Sequence, residues 1–497
     1  MLRVIQQLQE ESDTQSGLIL DRFLQIRKLE SKLVEIQSLN ISLMRSSAAS
    51  RINPNAANAS SPVNDAANEL VEPRQLDANL LELSLISQRG ALFQSFLHER
   101  ANDDLNNIDE DGTARRIMMN GKDKRYYGDN GLLLTSGLRK RVRELLNSYL
   151  VIDAFLMKRN IDKAMTMDEY DPSIAPTSTC VDDVFFILKK VIKRSISTYE
   201  PEVITSTVQT VLKTLDNLYI QTFQQKMSMA FAGQELTGRS ADRSLDQAKI
   251  SYMIVLNNLD VSTEYTERLV ADLRQDVAAG IWANEKKDME AATKALDNLA
   301  AISKKFQNLL QSRMEQLMAQ MLKPRVRPLF QDAYREVKYV LDEEEYNEVE
   351  VEELFIKRFR QGFNTLILLY HRTLTENNFR LLLSLLLDVV SVQWEKIVLQ
   401  TRFNQYGALR FDKDLRTAIH FLSGLTDWLY RDRFTRLSQM ATLLNFEEPS
   451  EIYECWGAKA GPVSWRLTVT EVKKVLALRY VFFSLSVQRF TFDSYSS

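Results

Sequence analysis

The residue types that most often perform catalysis or hold metals are scarce in this sequence. Its 497 residues include three histidines and two cysteines. His98, His371 and His420 are far apart in the chain, and none has the second histidine of a helical H-E-x-x-H zinc site. Their spacing predicts no metal centre. Surface or partly buried positions on helices are the better interpretation.

The other chemical motifs lead to the same prediction. Cys180 and Cys455 are too few for a disulfide framework or a thiolate metal site, which favours a reducing, cytosolic setting. Residues 107–112, NIDEDG, imitate the start of a calcium loop, but Met118 stands at the twelfth position, where a bidentate Glu is needed. The sequence has neither a phosphate-binding glycine loop nor a nucleophile elbow. We expect no catalytic, cofactor-binding or metal-binding residues, and therefore no enzyme.

Charge is clustered locally, although the net charge is only −3, which argues against nucleic acid as a partner. Three basic clusters could each contact an anionic membrane at about 1 kcal/mol per basic residue. A solvated face or a helix C-terminus is the alternative. The acidic run at 342–353 is interpreted as a solvated connector, with a site for a basic partner as the alternative. The basic clusters are Arg139-Lys140-Arg141 with Arg143, Lys189-Lys190 with Lys193-Arg194, and Lys323 with Arg325 and Arg327.

Long helices must position these residues, because turn-forming residues are too few for many short strands. The sequence has 15 Gly and 10 Pro, and apolar residues recur at three- and four-residue steps. The longest apolar stretch, 381–390, is too short to span a bilayer. After the first helical regions, helices are predicted at roughly 138–164, 179–194, 200–230, 244–278, 287–321, 327–342, 350–371, 376–402, 412–445 and 468–480.

We therefore predict an all-α fold, in which helical bundles stack end to end into an elongated rod with a small C-terminal helical bundle. A helical segment over 1–178, the end of a middle bundle, precedes a bundle at 179–340 and the C-terminal bundle at 341–497. Two stretches near 45–70 and 102–137 lack the large apolar residues that offset the entropy of ordering, and they are predicted to be disordered loops. The helix from Thr179 has the clearest start, because Thr179 and Asp182 approximate a capping box.

The most distinctive wording lies at 431–479, where three arginines interrupt an apolar stripe. One of them, Arg436, needs a carboxylate partner or an exit to water, and Glu471 is the candidate. Glu471 also completes a capping box with Thr468, so a purely local role is the competing hypothesis and is favoured by sequence. The two roles are compatible, because a carboxylate has two oxygens. Trp456 and Trp465 are predicted to anchor the intervening loop in a core.

Six separated stretches resemble the motifs of one known family. They are Glu72–Asp77 (family EPRELD), Val181–Lys190 (VDDVFFIVKK), Leu256–Asn258 (LNN), Phe411–Arg416 (FDKELR), Arg436–Thr442 (RLSQMAT) and Trp465–Thr468 (WRLT). Each stretch is a weak match alone, but all occur in the same order over most of the chain. Together they resemble the C-terminal part of the fourth subunit of the conserved oligomeric Golgi complex, a family of vesicle tethers.

The resemblance implies a helical-rod tether related in architecture to exocyst subunits. It implies capture of retrograde vesicles at the Golgi, without catalysis or cofactors. The implied partners are other subunits of the complex, SNAREs, Sec1/Munc18-type regulators and Rab GTPases. The implied location is the cytosolic face of the Golgi membrane, as a peripheral protein, and the cytosol. A rod subunit of another tether, such as exocyst, is one alternative, and a peripheral lipid-binding helical module is the alternative from another class.

Overall fold

The structure is a computed structural model that describes residues 2–39, 72–106, 137–232, 239–280, 282, 285–425, 431–455 and 464–479. Within these ranges all the regular secondary structure is helical, and the only β pairing is an isolated bridge between Phe403 and Arg479. The predicted all-α fold class is confirmed. Over the same ranges, no helix combines the length and the apolar content that crossing a bilayer requires.

The chain forms two compact units, Met1–Gln307 and Asn308–Ser497. The three-segment division expected from the sequence stays a prediction. In chain order, the chain begins with α1 Leu2–Arg27 and a further helical stretch at 29–39. The helices that follow are α2 Pro73–Asn106, α3 Gly137–Thr166, α4 Cys180–Ile196, α5 Pro201–Thr214, α6 Gln221–Ala232, α7 Arg239–Ala278 and α8 Glu285–Leu317.

The core of the first unit follows the apolar period of its helices. α2 buries Leu76, Leu80 and Leu83 on one face, and α3 buries Leu145 and Tyr149 against them. This face is continuous because residues three and four apart in sequence lie side by side on a helix. α2 extends to Asn106, so the start of the predicted loop at 102–137 is helical. The remainder of that loop and the predicted loop near 45–70 lie outside the described residues.

A buried ion network joins three helices of the first unit. Arg194 of α4 donates to Asp77 of α2, with Nη1 2.7 Å from Oδ1, and to Asp153 of α3. Arg194 and Asp153 are buried, and burial raises the pKa of Asp153 to about 6 although the guanidinium opposes the shift. Such a pair fixes register, because separating it would leave a charge in an apolar environment.

The capping box predicted at Thr179 is wrong. The Thr179 hydroxyl accepts a hydrogen bond from the backbone N–H of Glu169, at 3.1 Å, and makes no cap bond to its own helix. Asp168 supplies the cap instead, because its Oδ1 accepts from the N–H of Cys180 at 3.1 Å. The competing partner comes from the preceding loop, which folds back on the helix start. Sequence spacing within the helix cannot reveal it.

The asparagines of the 256–258 stretch hold that loop. Asn258 of α7 accepts from the N–H of Ser178 at 3.0 Å and donates to the Ser178 hydroxyl at 2.8 Å. Asn257 donates to the carbonyl of Pro176 at 2.8 Å. Both asparagines are buried. Because a buried amide requires partners, this stretch is a structural clamp.

The second unit contains the remaining helices, including those on which Arg436 and Glu471 lie. Two π-helical stretches, Leu215–Ile220 and Met318–Leu322, join α5 to α6 and α8 to α9. The second-unit helices are α9 Lys323–Ala333, α10 Glu343–Glu352, α11 Leu354–Thr373, α12 Glu376–Val398, α13 Gln405–Ser423, α14 Thr435–Leu444, α15 Ile452–Cys455 and α16 Val469–Leu476, with 3-10 turns at Arg431–Phe434 and Pro449–Glu451.

An aromatic cluster fills the core of the second unit. Trp394 of α12 is fully buried among the rings of Phe330, Phe355 and Phe359, with ring centroids 5.4–5.9 Å apart. Its indole N–H donates to the Tyr334 hydroxyl at 2.6 Å. Aromatic pairs at these separations add to area burial, so the cluster positions α9, α11 and α12 relative to one another.

Three helix predictions in this unit need correction. The helix predicted at 327–342 ends at Ala333, and residues 334–342 form turns and irregular structure. The single helix predicted at 412–445 is two helices, because α13 ends at Ser423 and is capped by Gly424, whose N–H donates to the carbonyl of His420. The acidic run at 342–353 is a helix and not a connector. Asp342 and Glu345 cap it reciprocally, with the Glu345 N–H 2.8 Å from Asp342 Oδ1 and the Asp342 N–H 3.1 Å from Glu345 Oε2.

The end of α16 is attached to the segment between α12 and α13. The N–H of Phe403 donates to the carbonyl of Leu478 at 3.1 Å, and Arg402 Nη1 donates to the carbonyl of Ala477 at 2.8 Å. Arg479, which is buried, donates to the carbonyl of Leu444 at the end of α14. Three segments distant in sequence are thereby held together by hydrogen bonds to backbone carbonyls.

Gly407 is the tightest helix contact of this unit and gives the first prediction. A Cβ at this position would lie 1.7 Å from the backbone carbonyl oxygen of Tyr339, and backbone cannot rotate away as a side chain can. Gly407→Ala is expected to lower the free energy of unfolding by about 3 kcal/mol or more, measured by urea denaturation. Gly424→Ala, whose Cβ meets nothing closer than 3.5 Å, is the matched control and should stay within about 0.5 kcal/mol. Equal stability of the two variants would contradict this packing.

Candidate functional site: the Arg436 junction

Three elements of the second unit meet at the guanidinium of Arg436. Arg436 lies in the first turn of α14, Glu395 near the end of α12, and Glu471 in the first turn of α16. The apolar faces of α14 and α16, which include the buried Leu437 and Val472, pack together and bring the charged groups to the edge of the core. We call these three charged residues the Arg436 junction.

The guanidinium binds both carboxylates and one backbone carbonyl. Its Nε is 3.1 Å from both oxygens of Glu395. Its Nη2 is 2.7 Å from Glu471 Oε1, and its Nη1 is 3.4 Å from Glu471 Oε2 and 2.9 Å from the carbonyl oxygen of Arg466. The planar fork of donors suits this arrangement, since Nε faces Glu395 while Nη1 and Nη2 face Glu471 and the carbonyl of Arg466.

Glu471 has both of the roles that the sequence suggested. Its Oε2 accepts from the Thr468 N–H at 2.8 Å, and the Thr468 hydroxyl accepts from the Glu471 N–H at 3.3 Å, which completes the capping box of α16. Its Oε1 faces Arg436. Oε2 closes the helix cap and Oε1 accepts from Arg436, so the residue that caps α16 also bridges it to α14.

The electrostatics of the junction follow from this geometry. The hydrogen bond from Arg436, with those from Thr468, lowers the pKa of Glu471 from 4.5 to about 2. The hydrogen bond from Glu471 raises the pKa of Arg436 in turn. The side chains of Arg436 and Glu471 are 31% and 30% exposed, and that of Glu395 is 15% exposed. Such partial burial gives the bridge more weight than a fully exposed pair.

The loop before α16 is held by Gln439 of α14. Its amide donates to the carbonyl of Ser464 and accepts from the N–H of Arg466, both at 2.9 Å. Trp465, predicted as a loop anchor, donates its indole N–H to the carbonyl of Cys455 at 2.7 Å. Trp456, the other predicted anchor, lies outside the described residues.

Sequence reasoning missed Glu395 and Gln439. Glu395 is 41 residues before Arg436 and adjoins the buried Trp394, so no local spacing links the two charges. The one available signal is that Glu395 is a carboxylate beside the apolar stripe of α12, and that the stretch at 431–436 is rich in arginine and needs carboxylate partners. Arg433, next to the junction, has similar partners on α12, where it donates to Ser384 at 2.6 Å and pairs with Asp388.

The junction binds segments together and contains no reactive arrangement. It has one cation between two carboxylates, and both carboxylates are engaged by that cation. Elsewhere in the described part of the chain, no three metal-ligating side chains converge. The contacts support assembly of the terminal helices and not a chemical step.

Two of the three basic clusters are turned toward carboxylates. In the first, Arg141 lies 2.9 Å from Asp21 of α1. In the second, Lys189 lies 2.7 Å from Asp272 and Lys193 lies 2.9 Å from Asp276, both on α7. These cations link helices of the first unit. They are therefore less available to a membrane than their sequence clustering suggested.

Removal of the Arg436 guanidinium gives the second prediction. Arg436→Ala leaves two carboxylates without their shared cation, and it should lower the free energy of unfolding by about 2 kcal/mol. Arg436→Lys should recover less than half of the loss, because one ammonium cannot reproduce the fork. Arg416→Ala removes an ion pair with Asp412 in which the arginine side chain is 78% exposed, and it should change stability by about 0.5 kcal/mol or less. Chemical denaturation of the four proteins tests this, and an Arg436→Ala loss no larger than that of Arg416→Ala would contradict it.

The pKa of Glu471 gives the third prediction. Because this pKa is lower in the folded protein, the stability that the carboxylate contributes is fully present above about pH 4.5 and is lost as the pH falls toward about 2. Relative to Glu471→Gln, the native protein should be more stable by about 1–2 kcal/mol at neutral pH, and this difference should shrink between pH 5 and pH 3. Urea denaturation at pH 7, 5, 4 and 3 measures it. A difference that is constant over this range would rule out the ionised bridge.

Similar proteins identify the family. The profile described as "COG4 transport protein, middle alpha-helical bundle" matches residues 1–227, and that described as "Conserved oligomeric Golgi complex subunit 4, C-terminal" matches residues 252–474. The second match contains the whole Arg436 junction.

Relatives named "Conserved oligomeric Golgi complex subunit 4" align over nearly the whole chain. Those of Mus musculus and Homo sapiens are each 30% identical over 98% of this chain, and that of Arabidopsis thaliana is 31% identical over 96%. The chain spans 62%, 61% and 59% of the lengths of these three relatives. Because both profiles describe parts of one protein and together cover most of this sequence, the chain belongs to the family of conserved oligomeric Golgi complex subunit 4.

Proposed function

We propose that this chain is a non-enzymatic subunit of the conserved oligomeric Golgi complex and that it tethers retrograde transport vesicles at the Golgi through protein contacts. The match to two consecutive parts of that subunit carries the proposal. The relatives' shared name places them in an oligomeric complex. Long helices joined by buried polar clamps supply the stable surfaces that such a role requires.

The partners of the proposed function are other proteins. Other subunits of the complex come first, since the relatives are named as subunits. SNAREs, Sec1/Munc18-type regulators and Rab GTPases are further proposed partners, through the family resemblance. We place the chain peripherally on the cytosolic face of the Golgi membrane and in the cytosol.

Attachment through partners is favoured over direct lipid binding. In the two basic clusters of the first unit, Arg141, Lys189 and Lys193 are engaged by carboxylates of neighbouring helices. Moving such a cation to a lipid headgroup would break an existing pair, so the gain per residue would be smaller than for a free lysine. Recruitment would then depend on the complex.

Co-purification is the fourth prediction. The chain is tagged at its own locus and purified from its own cells, and mass spectrometry is expected to find other subunits of the Golgi complex. The untagged strain is the control. A second tagged variant, Val472→Asp, buries a charge in the fully buried face of α16 and should unfold the terminal helices. Subunits that co-purify with the tagged native chain and are absent from the same purification of an untagged strain support the proposal. Recovery of the folded chain without any other subunit of the complex would refute it.

The Val472→Asp variant adds a second result. Loss of the other subunits from this variant would assign part of the assembly surface to the terminal helices. Retention would assign assembly to the remainder of the chain, and the proposed function would stand in either case.

A further inference from the structure

A groove between α9 and α11 is an open feature of the second unit that lies apart from the Arg436 junction. It encloses about 450 Å³. Leu329 of α9 and Leu366 of α11 form its apolar floor, and Arg325, Asp332 and Arg358 line its rim. The Arg436 junction draws its residues from other helices, so the groove is a separate feature.

A glycine and a proline, which are both uncommon inside helices, shape this groove. Gly362 of α11 faces Leu329, and a Cβ there would lie 2.5 Å from the leucine Cδ1, so the helices approach closely at this point. Pro328 lies inside α9 on the opposite wall. A proline has no N–H for the carbonyl of residue 324, so this helix wall has a backbone acceptor without its usual helical donor.

The two helices that form the groove are strongly basic in a chain whose net charge is −3. α9 has three Lys/Arg and one Asp, and α11 has four Lys/Arg and no acidic residue. Two of these cations, Arg325 and Arg358, line the groove, and a cation at its rim would attract and orient an acidic group of a partner.

The charge along the groove is also directional. Arg358 is paired with Glu336, with Nη2 3.0 Å from Oε2, and Asp332 lies near that end. Arg325 is exposed at the other end and has no ion-pair partner among the described residues. A bound carboxylate would therefore be favoured at the Arg325 end and disfavoured beside Asp332.

We propose that the groove between α9 and α11 docks an acidic, amphipathic helical segment of a partner protein. An apolar side chain of that segment would lie over Leu329 and Leu366, and a carboxylate would pair with Arg325. Helices commonly dock in this manner, with apolar anchors at helical spacing in a groove and charges at its rim.

The shape favours a protein segment over an anionic membrane. A bilayer surface attracts cations that project from a protein, but it does not fill a slot between two helices. The floor of this groove lies between the helices, where Leu329 is 9% exposed. Single side chains can enter such a space, whereas a plane of headgroups cannot.

This inference rests on the proposed function only in its assumption that the chain acts by binding proteins. It adds a location and a chemistry for one partner, which the family assignment does not contain. The groove lies wholly within the second unit, so the test can leave the remainder of the chain unchanged.

Photocrosslinking from the groove tests the inference and is the fifth prediction. Thr365 lines the groove and is exposed, and Thr365→benzoylphenylalanine places a photoreactive group there in the tagged chain in its own cells. Mass spectrometry of the crosslinked peptide is expected to identify a segment with more Asp/Glu than Lys/Arg and apolar residues at helical spacing. Arg325→Glu in the same chain should reduce the crosslink yield by roughly fivefold, because attraction becomes repulsion.

Arg416→Glu is the matched control, since it makes the same charge change on the exposed surface of α13 and should leave the yield unchanged. Thermal melting of both variants verifies that they are folded. Crosslinks only to lipid, a neutral or basic crosslinked segment, a yield that Arg325→Glu does not change, or no crosslink would each overturn the inference. Co-purified Golgi-complex subunits are measured in the same samples, so failure of the groove and failure of the proposed function are separate results.

Discussion

The guanidinium of Arg436 is the interaction on which the terminal part of the second unit depends. It joins Glu395 of α12, the carbonyl of Arg466 before α16, and Glu471 within α16. The terminal helices are short: α14 has ten residues and α16 has eight, and a helix of eight residues is too short to be stable in isolation. A shared cation with several donors compensates for the small area, since each contact also restricts the orientation of the next segment. The same cation organises the cap of α16, because Glu471 serves both.

The sequence predicts the features that depend on neighbouring residues, and it does not predict the contacts between distant segments. The helical class and the Thr468–Glu471 cap follow from spacing within one turn, which any helix with those residues can satisfy. Glu395 could not be inferred, because its approach to Arg436 depends on how α12 packs. The predicted cap of α4 was wrong for the same reason, since Asp168 reaches the start of that helix from a loop that folds back on it. The acidic run was misjudged for a different reason: Asp342 and Glu345 form a capping signal that the density of like charge concealed.

Polar residues in this protein act mainly between helices. Arg194 joins α2, α3 and α4, Asn258 holds the loop before α4, and Arg436 joins α12, α14 and α16. Asp77, Asn258 and Arg436 each lie in a stretch by which the sequence resembles its family. Apolar packing tolerates many substitutions of similar volume, whereas these contacts require a particular donor geometry.

The attachment of Leu478 and Arg479 to the segment around Phe403 has a consequence for the order of events during synthesis. A ribosome makes the chain from its N-terminus, and α12 and α13 emerge before the residues that cover them. The contact between Phe403 and Leu478 closes a long loop, so its entropy must be lost before the contact contributes. The aromatic core can collapse early, but the surface near Phe403 stays uncovered until residue 479 has left the exit tunnel. A nascent chain paused before that residue would present this surface to chaperones, and release of the pause would end the exposure.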